Sequence, residues 1–237
     1  MYELFDETAA RVLLAIESGD SIRQVAQHLH APYETVRQAV NRLEDAGYLA
    51  YDDGLFVTDD RVRESARDLL AASAGVSPPS IEEAYALPQF GDWSFAFARI
   101  DAVYVWTQGG YQVGRDPDDY PLFLAVREQD VEAWQRFFER FGLPTVFERQ
   151  PRDGLDGPLQ IVLDPRSTLE VDHVDGYSVV PRDETVAYMR EHYAQLQSAL
   201  SILDRMYDDL DLDVAYRESE QSSSSVSDVT DGIDDAR

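Results

Sequence analysis

Five polar side chains near residue 37 are the group in this chain best suited to reading another molecule. Tyr33, Glu34, Arg37, Gln38 and Asn41 recur at spacings of one, three and four residues, which places them along one side of an α-helix. Arginine, glutamine and asparagine carry the paired donors and acceptors that match the edges of guanine and adenine in the major groove. If the segment is helical, it presents a face for reading base edges. The alternative is a packing helix with a solvated polar face.

The segment that must position these side chains, residues 21–47, has the pattern of two short helices joined by a tight turn. Ser21 is a suitable N-cap, because its hydroxyl can accept a hydrogen bond from a free backbone N–H group. Pro32 ends the first helix and starts the second, and Gly47 can adopt the left-handed conformation that ends a helix. The apolar positions are Ile22, Val25, Ala26 and Leu29 in the first helix, and Val36, Ala39, Val40 and Leu43 in the second. This pattern predicts a helix-turn-helix unit.

The flanking segments extend this unit on both sides. Residues 3–18 have the pattern of an amphipathic helix that precedes it, and residues 59–74 have the pattern of a helix that follows it. Between residues 48 and 58, two β-prone runs flank Asp52-Asp53-Gly54, and an Asp-Gly pair is a strong short-range hairpin signal. We therefore expect the order helix, helix-turn-helix, hairpin, helix.

In this order of elements, residues from about 4 to 58 resemble the winged helix-turn-helix domains of prokaryotic transcription regulators. The similarity lies in the run SIRQVAQHL, TVRQAVNRLEDAGYLAYDDGLFVT, which is similar to the family's helix, recognition helix and wing. The resemblance implies a recognition helix in the major groove of DNA and a wing near its backbone. The wing tip departs from the family pattern, because Asp52 and Asp53 stand where arginine or lysine is common.

From this resemblance we expect two sets of DNA contacts. The base contacts are expected from Tyr33, Glu34, Arg37, Gln38 and Asn41. The phosphate contacts are expected from Ser21, Arg23, Thr35 and Arg42. We expect double-stranded DNA as the partner, and neither a metal nor a cofactor.

The composition is strongly acidic. The chain has 237 residues with 46 acidic and 20 basic side chains, a formal net charge of −26, and all of its basic side chains apart from histidine are arginine. Its aromatic content of 11% and hydrophobic content of 44% indicate a folded chain rather than acidic disorder. In this respect it resembles proteins of extreme halophiles, and we expect a halophilic archaeon as the source. The alternative is an acidic partner-binding or DNA-mimicking protein.

The acidic charge also bears on whether nucleic acid can be the partner. Above about 1 M salt the screening length falls to about 3 Å, so repulsion from distant carboxylates largely vanishes. Within residues 21–42, Arg23, Arg37 and Arg42 outnumber the single acid Glu34. The proposed reading face is therefore a locally basic segment in an acidic chain.

Other kinds of chemistry find little support. The chain has no cysteine, its four histidines are scattered, and it lacks an apolar run long enough to span a membrane, so we expect a soluble, cytoplasmic protein. A glycine pair followed by Asp116, Asp118 and Asp119 resembles the magnesium site of nucleotidyltransferase-fold proteins. We interpret this cluster as a turn, and Glu170 with Asp172 as a solvated face. We do not expect an enzyme.

The chain as a whole is expected to have an α+β fold with two domains. Residues 1–74 form the first, 75–80 are a linker of Pro, Gly and Ser character, and 217–237 are a disordered acidic tail. Residues 81–216 form an α+β domain that we expect to bind an effector, a partner protein or a second protomer. The predicted strands are 93–99, 101–108, 111–113, 120–127, 145–148, 159–163, 169–172 and 177–180, with a helix at 130–141. They predict a mixed or antiparallel sheet with helices on one side.

A long helix is expected at residues 183–210. It carries an apolar stripe at alternating spacings of three and four residues, formed by Val186, Met189, Tyr193, Leu196, Leu200 and Leu203. One interpretation is a homodimer seam, which suits a protein that reads paired half-sites on DNA. The other is that this helix packs against the sheet of its own chain.

The general layout resembles regulators of the type IV, AbiE-like antitoxin group, which implies an autorepressor whose second domain restrains a nucleotidyltransferase-type toxin. The prediction is a sequence-specific DNA-binding transcription regulator. The first alternative is an antitoxin or adaptor that binds protein, with possible autoregulation of its own operon. The second is an enzyme with a degenerate nucleotidyltransferase-like domain.

Overall fold

The structure, a computed structural model, describes residues 7–111, 119–147, 159–207 and 210. We call residues 7–74 the N-terminal half, and the described residues from 80 onward the C-terminal half. The N-terminal half consists of α1 (Glu7–Ala15), α2 (Ile22–His28), α3 (Tyr33–Asp45), β1 (Leu49–Tyr51), β2 (Leu55–Val57) and α4 (Asp60–Ala74). These elements agree with the order expected for this part of the chain.

The ends of α2 and α3 follow the local signals in the sequence. The Ser21 hydroxyl accepts a hydrogen bond from the backbone N–H of Gln24, whose side chain in turn accepts one from the backbone N–H of Ser21. After α2, His30 has a φ of 48°, and Pro32 precedes α3. Gly47 follows α3 with a φ of 79°. The predicted cap, turn and helix end are confirmed.

The hairpin is held against the segment that precedes α2. Strands β1 and β2 are antiparallel, with Leu49 opposite Val57. Leu55 donates its backbone N–H to the carbonyl of Asp20 at 2.8 Å and accepts one from Gly19 at 3.0 Å. A Cβ on Gly54 would lie 2.4 Å from the backbone of Gly19, so only glycine fits at this close approach.

The C-terminal half contains a mixed six-stranded sheet in the order β5-β6-β4-β3-β8-β7. Its strands are β3 (Phe95–Phe97), β4 (Tyr120–Arg127), β5 (Thr145–Val146), β6 (Leu159–Arg166), β7 (Asp172–Val174) and β8 (Tyr177–Val179). Its helices are α5 (Ile81–Ala86), α6 (Arg99–Trp106), α7 (Val131–Arg140), α8 (Arg182–Glu191) and α9 (Tyr193–Met206). β4 pairs in parallel with β6 and antiparallel with β3, and the α+β class with a mixed sheet is confirmed.

The expected strand at 101–108 is wrong, because these residues lie mostly in α6. Their β-branched and aromatic residues are typical of strands, but the segment is buried on most sides, and a short apolar run does not distinguish a buried helix from a buried strand. Helix α5 was not predicted, although Ser80 and Glu83 form a capping box at its start. The strand expected at 169–172 is wrong for most of its length, because only Asp172 lies in the observed strand, Asp172–Val174.

Some predictions lie wholly or largely outside the described residues. The strand at 111–113 is described only at Tyr111, and the acidic turn at 116–119 only at Asp119. Residue 148 of one predicted strand and the tail at 217–237 are also outside the described ranges.

The predicted single helix at 183–210 is two helices, α8 and α9, separated at His192, whose φ and ψ are −104° and 35°. The apolar stripe is buried in the chain's own core, with exposures of 7% at Val186, 0% at Met189, 3% at Leu196, 1% at Leu200 and 0% at Leu203. Only Tyr193, at 44%, is exposed. The helix therefore packs against its own chain, and the five buried side chains cannot form a dimer seam while the fold is intact. That the protein is a homodimer stays a prediction.

The two halves share an extensive contact. Arg67, on α4, is buried, and its Nε donates to the Phe90 carbonyl at 3.1 Å while its Nη2 pairs with Asp92 at 2.8 Å. Arg140, on α7, pairs with Glu64 at 3.1 Å and with Asp68. The buried apolar side chains of both halves belong to one cluster. The division at 75–80 stays a prediction. None of the described helices is long and apolar enough to cross a membrane.

Candidate nucleic-acid interface and the adjoining cavity

The side of α3 opposite its buried stripe carries Tyr33, Glu34, Arg37, Gln38 and Asn41, and we call this the polar face of α3. Tyr33 is 50% exposed, and Glu34, Gln38 and Asn41 are also exposed. The side chain of Arg37 is 41% exposed. The C-terminal half therefore leaves this surface open, which is the condition that a base-reading helix must meet.

Three members of the polar face are bound to one another. Arg37 donates to both carboxylate oxygens of Glu34, from Nε at 2.9 Å and from Nη2 at 2.6 Å, and Gln38 donates to Glu34 Oε1 at 3.2 Å. Two hydrogen bonds lower the pKa of Glu34 to about 2, the larger effect coming from Arg37 and the smaller from Gln38. Glu34 in turn raises the pKa of Arg37. Both side chains are therefore ionised, and the Glu34 carboxylate orients the Arg37 guanidinium before any ligand binds.

The expected phosphate contacts, Ser21, Arg23, Thr35 and Arg42, are all exposed and lie near the starts of α2 and α3 or on the outer side of α3. The Ser21 hydroxyl is already used, because it donates to Gln24 Oε1 at 2.8 Å and accepts from the Gln24 backbone. A phosphate at Ser21 must therefore compete with the helix cap. Arg23 is not part of the Ser21–Gln24 capping box, so a phosphate at Arg23 does not compete with the cap.

The hairpin tip has the opposite charge. Asp52 and Asp53 are exposed, and Tyr51 beside them is 62% exposed. Two carboxylates at this tip repel phosphates, so the tip is better suited to solvent or to a protein partner than to a DNA backbone.

A half-open cavity of about 510 Å³ lies between the two halves, close to the start of α3. Leu29 and His30 border it from the N-terminal half. From the C-terminal half it is lined by four tyrosines, namely Tyr85, Tyr104, Tyr120 and Tyr177. Arg11, Glu82 and Glu83 supply the charged side chains of its lining.

One of these tyrosines, Tyr85, is anchored by a buried carboxylate. The Tyr85 hydroxyl donates to Asp101, which is fully buried, and lies 3.0 Å from the Tyr120 hydroxyl. The other carboxylate oxygen of Asp101 accepts the backbone N–H of Phe123 at 2.8 Å. Asp101 belongs to α6 and Phe123 to β4, so these hydrogen bonds fix the Tyr85 ring against both elements.

The cavity reaches α3 through one aromatic pair. The His30 ring stacks on the Tyr177 ring, with centroids 3.8 Å apart and planes inclined by 20°. Burial lowers the pKa of His30 and raises the pKa of Tyr177. Next to this pair, a Cβ on Gly176 would lie 2.7 Å from the backbone of Gln27, so the β7–β8 turn sits directly against α2.

Sequence reasoning missed this cavity. Its tyrosines lie on α5, α6, β4 and β8, and no spacing in the sequence brings them together. The one available signal was the Asp175-Gly176 pair between two β-prone runs, which predicts a hairpin turn but not what the turn contacts.

The acidic cluster is described only at its end. Gln160 Nε2 donates to Asp119 Oδ1 at 3.3 Å, while Asp116 and Asp118 lie outside the described residues. Glu170 and Asp172 are exposed, as expected for a solvated face. Within the described ranges, no group of three or more histidine, aspartate or glutamate side chains is placed to hold a metal ion.

Comparison with known proteins gives no relative: no family model matches the chain, and neither the curated proteins nor the solved structures contain a significant match.

Proposed function

We propose that the N-terminal half is a winged helix-turn-helix unit, and that the protein is a sequence-specific DNA-binding transcription regulator. The observation that supports this most is the exposure of the polar face of α3, which carries Arg37, Gln38 and Asn41 together. In this proposal α3 is the recognition helix and the β1–β2 hairpin is the wing. A cytoplasmic location follows from the proposed activity.

The dimensions of α3 suit a DNA groove. A helix of 13 residues is about 20 Å long and, with side chains, about 10–12 Å wide. The major groove of B-DNA is about 12 Å wide and admits one helix. Because the buried stripe of α3 faces α1 and β1, the polar face is the side that can enter the groove.

The charges of the N-terminal half favour sequence-specific base contacts over strong non-specific binding to the DNA backbone. Glu34 offsets part of the charge of Arg37, and Asp52 and Asp53 face outward at the hairpin tip. With few free positive charges, the protein gains little from counterion release, so its affinity should depend less on salt than that of most DNA binders. Binding in concentrated salt then relies on base contacts.

The proposal is tested by replacing Arg37 with alanine and measuring binding, at high KCl, to a site selected from random duplexes. We expect specific binding to weaken by about 1–3 kcal/mol, the usual contribution of one bidentate base contact. The matched control is Arg61→Ala on α4, because Arg61 is exposed and its ion pair, among the described residues, is with the neighbouring Asp59. Equal affinity of the wild-type and Arg37→Ala proteins, or failure to select any site, would contradict the proposal.

A second candidate function is an antitoxin or adaptor in which the same unit grips protein. It is favoured by Tyr33 and Tyr51, which are 50% and 62% exposed, because exposed tyrosines are enriched at protein interfaces. The acidic hairpin tip also suits a basic partner. Capture of one stoichiometric partner, lost in Tyr51→Ser and accompanied by no DNA footprint, would favour this function over the first.

A further inference from the structure

We propose that the tyrosine-lined cavity is a binding site for a small organic cation of the substituted-ammonium class, and that a ligand there acts on α3 through His30. The regulatory part of this inference rests on the proposed function, because it treats the ligand as an effector of DNA binding. The binding part does not, since it follows from the cavity alone.

The size and position of the cavity suit a small molecule. Its volume of about 510 Å³ is within the range of about 300–1,000 Å³ typical of ligand pockets. It lies where two packed halves meet, which is a common place for such sites. Leu29, Ile81 and Ala86 add aliphatic surface for the hydrocarbon part of a ligand.

The aromatic lining favours a cation. The face of a tyrosine ring is negative, and several such rings around one space attract an ammonium group with little need for hydrogen bonds. Tyr85 lies behind the group, with ring centroids 5.4 Å from Tyr104 and 6.2 Å from Tyr177, and is only 6% exposed. The partly exposed rings of Tyr104, Tyr120 and Tyr177 therefore offer most of the aromatic surface to a ligand.

The charges of the lining point the same way. Arg11 pairs with both Glu7 and Glu83, so its positive charge is already offset. Glu82 is exposed and lines the cavity, and Asp101 adds a carboxylate behind Tyr85. Among the carboxylate and guanidinium side chains that line the cavity in the described residues, the two acids Glu82 and Glu83 outnumber the one base, Arg11, which opposes phosphates and carboxylates as ligands.

A ligand in this cavity contacts the turn that precedes α3. His30 and Tyr177 both line the cavity and stack on each other, and His30 lies in the turn between α2 and α3. His30 also has a left-handed backbone, with a φ of 48°, which leaves it few alternative conformations. A ligand that moves the Tyr177 ring therefore moves the start of the proposed recognition helix.

The binding test uses three probes with the same branched hydrocarbon body and different charge: choline, 3,3-dimethyl-1-butanol and 3,3-dimethylbutanoate. Each is titrated into the full chain at constant high KCl without DNA, and its methyl proton signals are followed by NMR. We expect choline to bind roughly fivefold or more tightly than the neutral alcohol, and the carboxylate to bind most weakly. Equal affinity for choline and the alcohol, tighter binding of the carboxylate, or no binding of choline would overturn the proposal.

Variants locate the site. Tyr104→Leu removes one ring face from the lining and should weaken choline binding by roughly threefold to thirtyfold. The control is Tyr193→Leu, because Tyr193 is an exposed tyrosine on α9 that does not line the cavity. Glu82→Gln is a second variant with little risk to folding, since Glu82 is exposed, and it should weaken choline but not the alcohol. If neither cavity variant affects choline, the assigned site is wrong.

The coupling test measures affinity for the selected DNA site with and without choline. We expect a shift of roughly fivefold or more in the wild type, typical of linked sites, and a smaller shift in Tyr104→Leu. Choline binding with unchanged DNA affinity would overturn the coupling to α3. If the protein binds no DNA at all, the proposed function fails, while the NMR titration still decides the binding site.

Discussion

The polar face of α3 was expected to bind DNA, and a homodimer seam was one of two interpretations of the apolar stripe of α8 and α9. The structure leaves the first exposed and buries the second within its own core. The difference teaches that helical periodicity identifies the side of a helix that must be covered, but not what covers it. A polar side needs no cover, so its exposure is easier to predict than the partner of an apolar side.

The cover of the apolar stripe is supplied by elements far away in the sequence. Helix α8 packs against α6, and the Trp106 indole of α6 donates to the Val180 carbonyl just before α8. The Tyr207 ring, just after α9, meets the Trp106 ring edge to face with centroids 5.7 Å apart. Since 101–108 was predicted as a strand, the helix that covers the stripe could not be recognised in advance.

The largest expected effect breaks the stripe of α9. Leu203→Ala removes a fully buried side chain, and truncation of a buried leucine costs about 2–5 kcal/mol of the free energy of unfolding. Chemical denaturation measures the loss, and Tyr193→Ala, at an exposed position of the same stripe, is the control. Sedimentation of the folded variant should show the same oligomeric state as the wild type. A variant that dissociates without loss of stability would restore the dimer seam.

The next effect concerns the contact between the two halves. Arg67→Met keeps the length of the side chain but leaves the Phe90 carbonyl and Asp92 without their charged donor. We expect a loss of about 1–3 kcal/mol in the free energy of unfolding, the cost of stranding a buried polar group. Arg61→Met, whose partner Asp59 is a close neighbour on the surface, should leave the stability unchanged. Similar results for the two variants would show that the halves do not depend on this contact.

A smaller effect is expected on the polar face of α3. Glu34→Gln removes one negative charge next to Arg37 while keeping an oxygen that can accept its hydrogen bonds. Non-specific affinity for duplex DNA should rise by about twofold to fivefold at moderate salt, since one repulsion of the phosphate backbone is lost. The free energy of unfolding should hardly change, because Glu34 is exposed. Competition of a labelled duplex with random-sequence DNA measures the change, and unchanged or weaker non-specific binding would contradict the prediction.

The smallest effect is a pH dependence of stability at the contact of His30 with Tyr177, between the two halves. Burial lowers the pKa of His30 below its ordinary value of 6.5, with Asp175 opposing and His28 adding to the shift. The unfolded chain therefore binds the proton first, and the contribution of His30 to stability is present above pH 6.5 and lost as the pH falls.

The test compares the slope of unfolding free energy against pH, between about pH 5 and 7, in the wild type and in His30→Asn. Asparagine tolerates the left-handed backbone of this position and does not titrate. We expect a flatter slope in His30→Asn, with less loss of stability on acidification. His192→Asn, at the histidine between α8 and α9, is the control, and identical slopes in wild type and His30→Asn would contradict the assignment.

Local signals predicted the N-terminal half well. The Ser21 cap, the stripe from Val36 to Leu43 and the Asp52-Asp53-Gly54 turn each depend on neighbours within a few residues, and each is confirmed. The polar face could be predicted for the same reason. Its role in binding DNA stays a prediction, because exposure alone does not identify a ligand.

The C-terminal half depends on contacts that the sequence does not display. Asp101 appeared to begin a strand, yet it is a buried carboxylate in the first turn of α6 that binds Tyr85 and the backbone of Phe123. The order β5-β6-β4-β3-β8-β7 cannot be derived from strand positions alone, because two of its five neighbouring pairs, β4–β6 and β3–β8, join strands that are not consecutive in the chain. The cavity is a product of that order and was therefore invisible.

The close fit of Gly176 against Gln27 has a consequence for how this chain can vary. Residue 176 has a φ of 85°, and its missing methyl group is what lets the β7–β8 turn touch α2. Any side chain here would act as a wedge, driving the turn away from the helix, parting the His30–Tyr177 stack and widening the cavity beside it. The absence of a Cβ at residue 176 thus sets the distance between α2, in the proposed DNA-binding unit, and the β7–β8 turn beside the proposed ligand site.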